Sequence, residues 1–272
     1  MENSYDVIIL GAGIAGLACA DELVGKSKKQ VLVLEKNRYP GGLAATLNYK
    51  NFLHDLSPHR WFTKNDELNN WLNTLVGKDL IWIKKNTPMY QLGKFFQYPV
   101  KIGDVLKKIN PFLGFLMLIS FLYERVKNRL FPKKPKTMEE AYIHRFGYVL
   151  YKIFNEEFND KLWGKDGCRK MSADFIDQRV KDMSLLKIML NSLGLGKGKV
   201  ISLIEKFRYP VWGIGEISVR LESRIKNNGG SIIYAETVTG IIKTASGFEI
   251  RTDKNIYFAK QLISSIPLPS LV

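Results

Sequence analysis

The chain is poor in cysteine and histidine. Its 272 residues hold two cysteines, Cys19 and Cys168, and three histidines, His54, His59 and His144. The cysteines form no CxxC pair and the histidines are scattered, so no zinc-ligand spacing is present and no disulfide framework is needed. A reducing, cytoplasmic setting is the expectation. The opening stretch MENSYDVIILGAG carries no basic segment ahead of its apolar run and does not read as a signal peptide. Long apolar runs are lacking too. The most apolar stretch, Phe112 to Tyr123, is about a dozen residues against the ~20 that a spanning helix needs. Acidic residues are scarce: 26 Asp and Glu face 41 Lys and Arg, a net charge of +15. That excess suits anionic partners such as phosphorylated substrates or acidic lipid, or it reflects a bias towards Lys with no functional content. No nucleic-acid-binding module accompanies it, so nucleic acid is not an expected partner.

What is present is globular. Hydrophobic residues at 46 % and charged residues at 25 % exclude wholesale disorder and a collagen-like fibre. The length is sufficient for two folding units. Tyr5–Leu10 is a Val/Ile-rich run that predicts a buried parallel strand, Leu17–Val24 a helix, and Val31–Leu34 a second strand. Together they make a βαβ unit of the usual ~30 residues.

From residue 66 to 205 the pattern turns helical. Leu68, Trp71, Leu72 and Leu75 recur at amphipathic spacing. Thr137-x-x-Glu140 is a capping box opening another helix, which Gly147 interrupts. Leu185–Leu193 also reads as helical, and Pro88–Pro99 as extended. After Phe207 a helix over Glu216–Lys226 ends at Asn228-Gly229-Gly230. Short strands follow at Ser231–Tyr234, Val238–Lys243, Phe248–Thr252, Ile256–Phe258 and Gln261–Ile266. Strand-rich sequence after a helical block predicts a return to the sheet begun at residue 5. The expected fold is α/β: a dinucleotide-binding domain of residues 1–65 and 206–272, interrupted by a mainly helical substrate domain of residues 66–205.

Gly11-x-Gly13-x-x-Gly16 stands between the first strand and the helix, where a dinucleotide-binding turn belongs. Gly11 permits the tight turn, Gly13 lets backbone approach a pyrophosphate, and Gly16 lets the helix pack on the strand. Glu35 ends the second strand, where an acid accepts hydrogen bonds from ribose hydroxyls and repels a 2′-phosphate. Arg38-Tyr-Pro-Gly41-Gly42-Leu-Ala-Ala-Thr46 follows at once. A plain NAD-binding domain does not need this second glycine pair; a longer dinucleotide, which backbone must approach twice, does.

The combined pattern, Glu35-x5-Gly41-Gly42-x3-Thr46 after the first glycine triplet, resembles the FAD signature of the flavin amine oxidase superfamily, which includes protoporphyrinogen oxidases and UDP-galactopyranose mutases. The resemblance implies a Rossmann-like FAD-binding domain and FAD held by Gly11, Gly13, Gly16, Glu35, Arg38, Gly41 and Gly42. It extends to Phe52-Leu-His-Asp55-Leu-Ser-Pro-His59, similar to the segment along the flavin ring, with His59 near the isoalloxazine and Ser57 where the family pattern has Gly. Val238 matches a residue whose backbone meets the adenine. Trp163 and Arg179 match positions that contact a nucleotide diphosphate in the mutases, and their chemistry is apt: an indole offers a stacking face and a guanidinium grips phosphate. Phe207-Arg-Tyr209-Pro210-Val-Trp-Gly213-Ile-Gly215 resembles the element leading back into the FAD domain; its glycines fit either ligand approach or a simple turn.

The implied function is an FAD-dependent oxidoreductase of the amine oxidase and protoporphyrinogen oxidase type, whose flavin takes a hydride from a C–N or C–C bond of a small molecule. A mutase-like isomerase of a nucleotide sugar is the alternative, and a non-catalytic remnant a third reading. No side chain stands out as an acid–base catalyst. Because the superfamily's members are longer, the chain reads as an N-terminal fragment or a split protein. The run Phe112–Tyr123, flanked by Lys107, Lys108, Arg125, Lys127, Arg129, Lys133, Lys134 and Lys136, fits a helix lying in a membrane surface; a buried insertion helix with solvated ends is the preferred reading.

Overall fold

The computed structural model describes residues 3–84, 86, 88–97, 107–179 and 206–271. In chain order the elements are β1 (Ser4–Leu10), α1 (Ile14–Lys26), β2 (Val31–Leu34), β3 (Thr46–Tyr49), β4 (Phe52–Asp55), α2 (Asp66–Val76), β5 (Leu80–Lys84), β6 (Pro88–Gln91) and β7 (Lys94–Gln97). Then come α3 (Pro111–Leu130), α4 (Met138–Phe146), α5 (Tyr148–Tyr151), α6 (Glu157–Trp163), α7 (Gly167–Lys170) and α8 (Asp174–Arg179). The chain closes with β8 (Lys206–Pro210), α9 (Glu216–Asn227), β9 (Ser231–Ile233), β10 (Val238–Thr244), β11 (Gly247–Thr252) and β12 (Ile256–Ser264). Two compact units result, one of Met1–Lys84 with Lys206–Val272 and one of Lys85–Glu205.

The first unit is built on a six-stranded sheet in the order β10-β11-β12-β1-β2-β9. Pairing is parallel from β12 through β1 and β2 to β9, and antiparallel along β10-β11-β12. The chain therefore does return to the sheet begun at residue 5. Strands β12 and β1 lie at its centre with β2 beside β1, and alternation sends the side chains of β1 and β2 to two separate cores. Val7, Ile9, Val31 and Val33 join Leu17 of α1 and Ile217, Leu221 and Ile225 of α9 on one face. Ile8, Leu10, Leu32 and Leu34 join Ile250 and Tyr257 on the other. Burial on both faces is why these strands read as unbroken apolar runs instead of alternating ones.

One expectation is corrected here. The two runs expected at Ile256–Phe258 and Gln261–Ile266 form a single strand, Ile256–Ser264, because Ala259 continues the ladder to Tyr5 and no turn residue separates them. The amphipathic helix read from Leu68, Trp71, Leu72 and Leu75 is α2, and it buries Leu72, Leu75 and Val76. Strand β5 pairs antiparallel with β8, so the stretch leaving the first unit is bonded to the stretch re-entering it.

In the second unit, Pro88–Gln91 and Lys94–Gln97 form an antiparallel hairpin. Thr137 caps α4, its hydroxyl accepting from the Glu140 N–H at 3.2 Å, and Gly147 ends that helix with φ +82°. The expected helix at Leu185–Leu193 lies outside the described residues. A second correction concerns Phe112–Tyr123. The stretch is helical, within α3, but it is not a buried helix: Phe112 is 68 % exposed, Phe115 58 % and Ile119 47 %. Only Met117, Phe121 and Glu124 of α3 are buried.

Candidate functional site: two glycine turns over a buried acid

The site is built where β1 and β2 end. Backbone leaves β1 at Gly11, which takes φ +96°, a conformation that costs a residue with a side chain but not glycine. Helix α1 starts after Gly13, and its first-turn N–H groups open towards the same end of the sheet. The second turn arrives after β2. Gly41 (φ +110°) donates its N–H to the Ala12 carbonyl at 2.8 Å and pairs with Gly13 as an isolated parallel bridge. A Cβ on Gly42 would stand 3.4 Å from the Gly13 Cα. The two glycine motifs, separated by a helix and a strand in sequence, thus share one trough.

The three glycines of the first motif differ in why they are glycine. A Cβ on Gly16 would lie 2.1 Å from the Gly11 carbonyl oxygen, and one on Gly11 would lie 2.9 Å from Ser265 Oγ. Both are packing requirements. Gly13 has φ −68° and ψ 169°, open to any residue, and a Cβ there meets nothing within 4 Å. Neither strain nor crowding by the protein explains it; a side chain would project into open space.

Beneath the trough lies Glu35, 6 % exposed. Its Oε2 accepts from the Ala12 N–H at 2.7 Å and its Oε1 from the Asn37 N–H at 2.8 Å. The carboxylate thereby ties the first glycine turn to the end of β2, and each oxygen keeps a second lone pair. Glu236, whose N–H bonds the Glu35 carbonyl at 3.1 Å, brings the chain leading into β10 alongside; Val238 opens that strand two residues later. Arg38 is exposed on the loop after β2.

Next along the chain is a polar knot that sequence reasoning did not assemble. Thr46 Oγ1 donates to Asp55 at 2.6 Å and accepts from the Gly215 N–H at 2.8 Å. The Tyr209 hydroxyl donates to the other Asp55 oxygen, and the Ile214 N–H points at the same carboxylate from 3.3 Å. Burial, together with the Asp55 carboxylate, pushes the Tyr209 phenol well above its usual range and keeps its proton on. Gly213 and Gly215 are explained here. A Cβ on Gly213 would lie 2.4 Å from Thr46 Oγ1, and one on Gly215 would lie 2.5 Å from the Thr46 N–H nitrogen. They allow close approach of the Thr46 residue. The signal in the sequence was the coincidence of Thr46, Asp55 and Tyr209 within motifs; nothing there says that they meet.

The knot borders an open cleft of about 540 Å³ lined by residues 54–59 with Ile83, Phe207 and Tyr209. His59 is among the lining residues, and its Nδ1–H donates to the Ser57 carbonyl at 2.9 Å. Leu56 donates its N–H to the Ala45 carbonyl at 3.1 Å, so the cleft wall is stitched to the second glycine turn. In the second unit, Trp163 is half-buried in that unit's own core and meets Phe175 edge-on at 5.9 Å. Arg179 is the last residue of α8, and its side chain lies outside the described residues.

A parallel βαβ unit with two glycine turns meeting beside a buried strand-end acid is the architecture of a Rossmann-like domain, and residues 9–75 match the NAD(P)-binding Rossmann-like domain family. The chain is similar to prolycopene isomerase 2 of an Oncidium hybrid cultivar, 26 % identical over 289 residues that span 97 % of this chain and 48 % of that one. Among solved structures it superposes on a reduced UDP-galactopyranose mutase with a TM-score of 0.80, at 21 % identity, over 98 % of this chain and 56 % of the other. A candidate protoporphyrinogen oxidase from Exiguobacterium sp. 255-15 gives a TM-score of 0.66, at 16 % identity, over 99 % and 60 %. The chain spans about half the length of the curated relatives it matches. At the level of fold, the resemblance read from the sequence to the flavin amine oxidase superfamily, with mutase-like features, holds.

Proposed function

We propose that this chain carries the FAD-binding part of an FAD-dependent oxidoreductase acting on a small organic molecule, with the unit of residues 85–205 contributing to the substrate side. The observation that carries the reading is Gly13: a glycine with ordinary dihedral angles and nothing beside it, facing a second glycine pair across one trough. Such a cradle suits a diphosphate bracketed by backbone N–H groups. Glu35 fits the ribose, since its oxygens have lone pairs to spare after bracing Ala12 and Asn37. Val238 fits the adenine end through backbone alone. The second glycine pair, Gly41 and Gly42, which a plain nicotinamide-dinucleotide turn does not need, favours a longer dinucleotide, and the acid at residue 35 disfavours a 2′-phosphate.

FAD, when bound, supplies the hydride-accepting chemistry. The protein's own residues bind, orient and exclude water. His59 and Tyr209 line the cleft where a ring system would extend, and the Asp55 knot holds Tyr209 and the Gly213–Gly215 backbone rigid behind it.

The mutase-like reading is supported by the TM-score of 0.80 to the reduced mutase. It would use Trp163 and Arg179 for a nucleotide diphosphate. The test begins with FAD titrated into the purified chain, followed by tryptophan emission and flavin absorbance. The expected result is saturable one-to-one binding that Gly13→Val weakens at least about tenfold without unfolding the chain. A folded chain that takes up no flavin would sink both flavin readings and leave the non-catalytic one. Flavin reduction by an amine or porphyrinogen then favours the oxidoreductase. Turnover of a nucleotide sugar that needs prior reduction, and consumes no electron acceptor, favours the mutase.

A further inference from the structure

We propose that α3 is a membrane-docking helix that lies flat in the interface of an anionic bilayer. The observation is the division of its circumference. At about 100° per residue, Met117, Phe121 and Glu124, its buried positions, cluster on one side. Phe112, Phe115, Ile119, Leu122, Val126 and Leu130 fall within about a quarter-turn on the opposite side, and all six are exposed. The helix is therefore apolar on two opposed faces, of which the described residues cover one. Isolated exposed apolar residues are ordinary, but a continuous stripe along a 20-residue helix is an interaction surface.

The charge pattern selects the occupant. Between residues 107 and 136 stand eight Lys or Arg and a single acid, Glu124. This stretch carries nearly half of the chain's net +15. Glu124 is buried and offsets Lys127, with which it pairs at 3.2 Å, so the net charge of the stretch is carried by the other cations. Arg125 and Arg129 flank the apolar stripe on one side and Lys127 on the other, where long basic side chains reach from an apolar surface to headgroup phosphates. Lys134 and Lys133, the latter 3.4 Å from Glu140, follow as exposed residues beyond the helix end. A protein partner of ordinary composition calls for no such one-signed rim, whereas an anionic lipid surface attracts each of these cations. No described helix is long and apolar enough to cross a membrane, so the helix lies on the bilayer and does not span it.

The test is flotation of the full chain with vesicles of phosphatidylcholine alone and with about a third phosphatidylglycerol. Binding at least about tenfold stronger to the anionic vesicles, weakened by high salt, is expected. Ile119→Asp with Val126→Asp should remove it while leaving the circular dichroism and unfolding midpoint unchanged, because both positions are exposed. Lys133→Glu with Lys134→Glu should weaken it several-fold. Absence of binding to anionic vesicles overturns the proposal. So does binding that survives Ile119→Asp with Val126→Asp, which would make it a general effect of net charge. Self-association of the wild-type chain that those substitutions abolish also overturns it, because the stripe would then be covered by a second copy. The FAD titration reads the other unit, so failure here and failure of the flavin reading are separate results.

Discussion

Gly13 and Gly16 stand three positions apart in one motif, yet substitution at each has a different outcome. Gly16→Ala forces a methyl group against the Gly11 carbonyl and is expected to cost about 3 kcal/mol or more, read as a lower urea midpoint. Gly13→Val meets no protein atom, so the unfolding midpoint should stay within about 4 °C, or ~1 kcal/mol, while FAD affinity falls at least about tenfold. Glu35 combines both roles. Glu35→Ala removes a buried acceptor from two backbone N–H groups and should cost about 2–4 kcal/mol as well as flavin affinity. Glu35→Gln, which keeps one acceptor oxygen, should recover part of the stability but little of the affinity. If Glu35→Gln restores both equally, the acid serves the fold and not the ribose. The identity of these residues as a nucleotide-binding set was legible in the sequence, because glycine between strand and helix and an acid at a strand end are local signals. That Glu35 braces Ala12 was not legible, since the bond depends on how β1 and β2 sit side by side.

At the scale of elements, α1 and α9 pack together on one face of the sheet, and their contact contains a charge pair. Arg224 reaches Asp21 at 3.0 Å, and Asp21 is almost fully buried. Burial raises the Asp21 pKa above its ordinary 3.8, and the Arg224 guanidinium pulls it back only in part. The folded chain therefore holds this proton more tightly than the unfolded one. The associated stability is fully present below pH 3.8 and is lost as pH rises through the higher folded value. Arg224→Met should raise that value further and cost about 1–3 kcal/mol at pH 8, with a smaller loss at pH 4, measured by urea unfolding at both. Asp21→Asn should flatten the profile. Elements with strong local signals formed where expected: β1, α1 and β2, the capped helix α4, and α9 with its Asn-Gly-Gly stop. The hairpin of β3 and β4 carried no such signal. Its turn residues Lys50 and Asn51 both take positive φ, and Lys is not a residue that announces this. The exposure of α3 was likewise hidden, because an apolar run looks the same whether a core or a bilayer covers it.

For the whole molecule, the sheet is what makes one site out of distant segments. Residues 11–16, 35–46 and 209–215 converge because β1, β2 and the returning chain from β8 end in the same unit. A ligand that bridges them should stabilise that unit: at a hundredfold excess of FAD over its dissociation constant, about 2.7 kcal/mol, visible as a rise in the midpoint of the transition reported by the first unit's Trp61 and Trp71. An unchanged midpoint at saturating FAD would count against a site that spans those segments. By itself, the sequence determined the local chemistry of this protein: the βαβ unit, the two glycine turns, the acid between them and the one-signed charge around α3. Each of these follows from the stereochemistry or period of neighbouring residues. Only the tertiary structure decided that Gly13 faces Gly42, that Thr46, Asp55 and Tyr209 form a knot, and that the outer stripe of α3 stays uncovered. Those facts depend on which surfaces meet when chain segments far apart are brought together, and no local pattern encodes that.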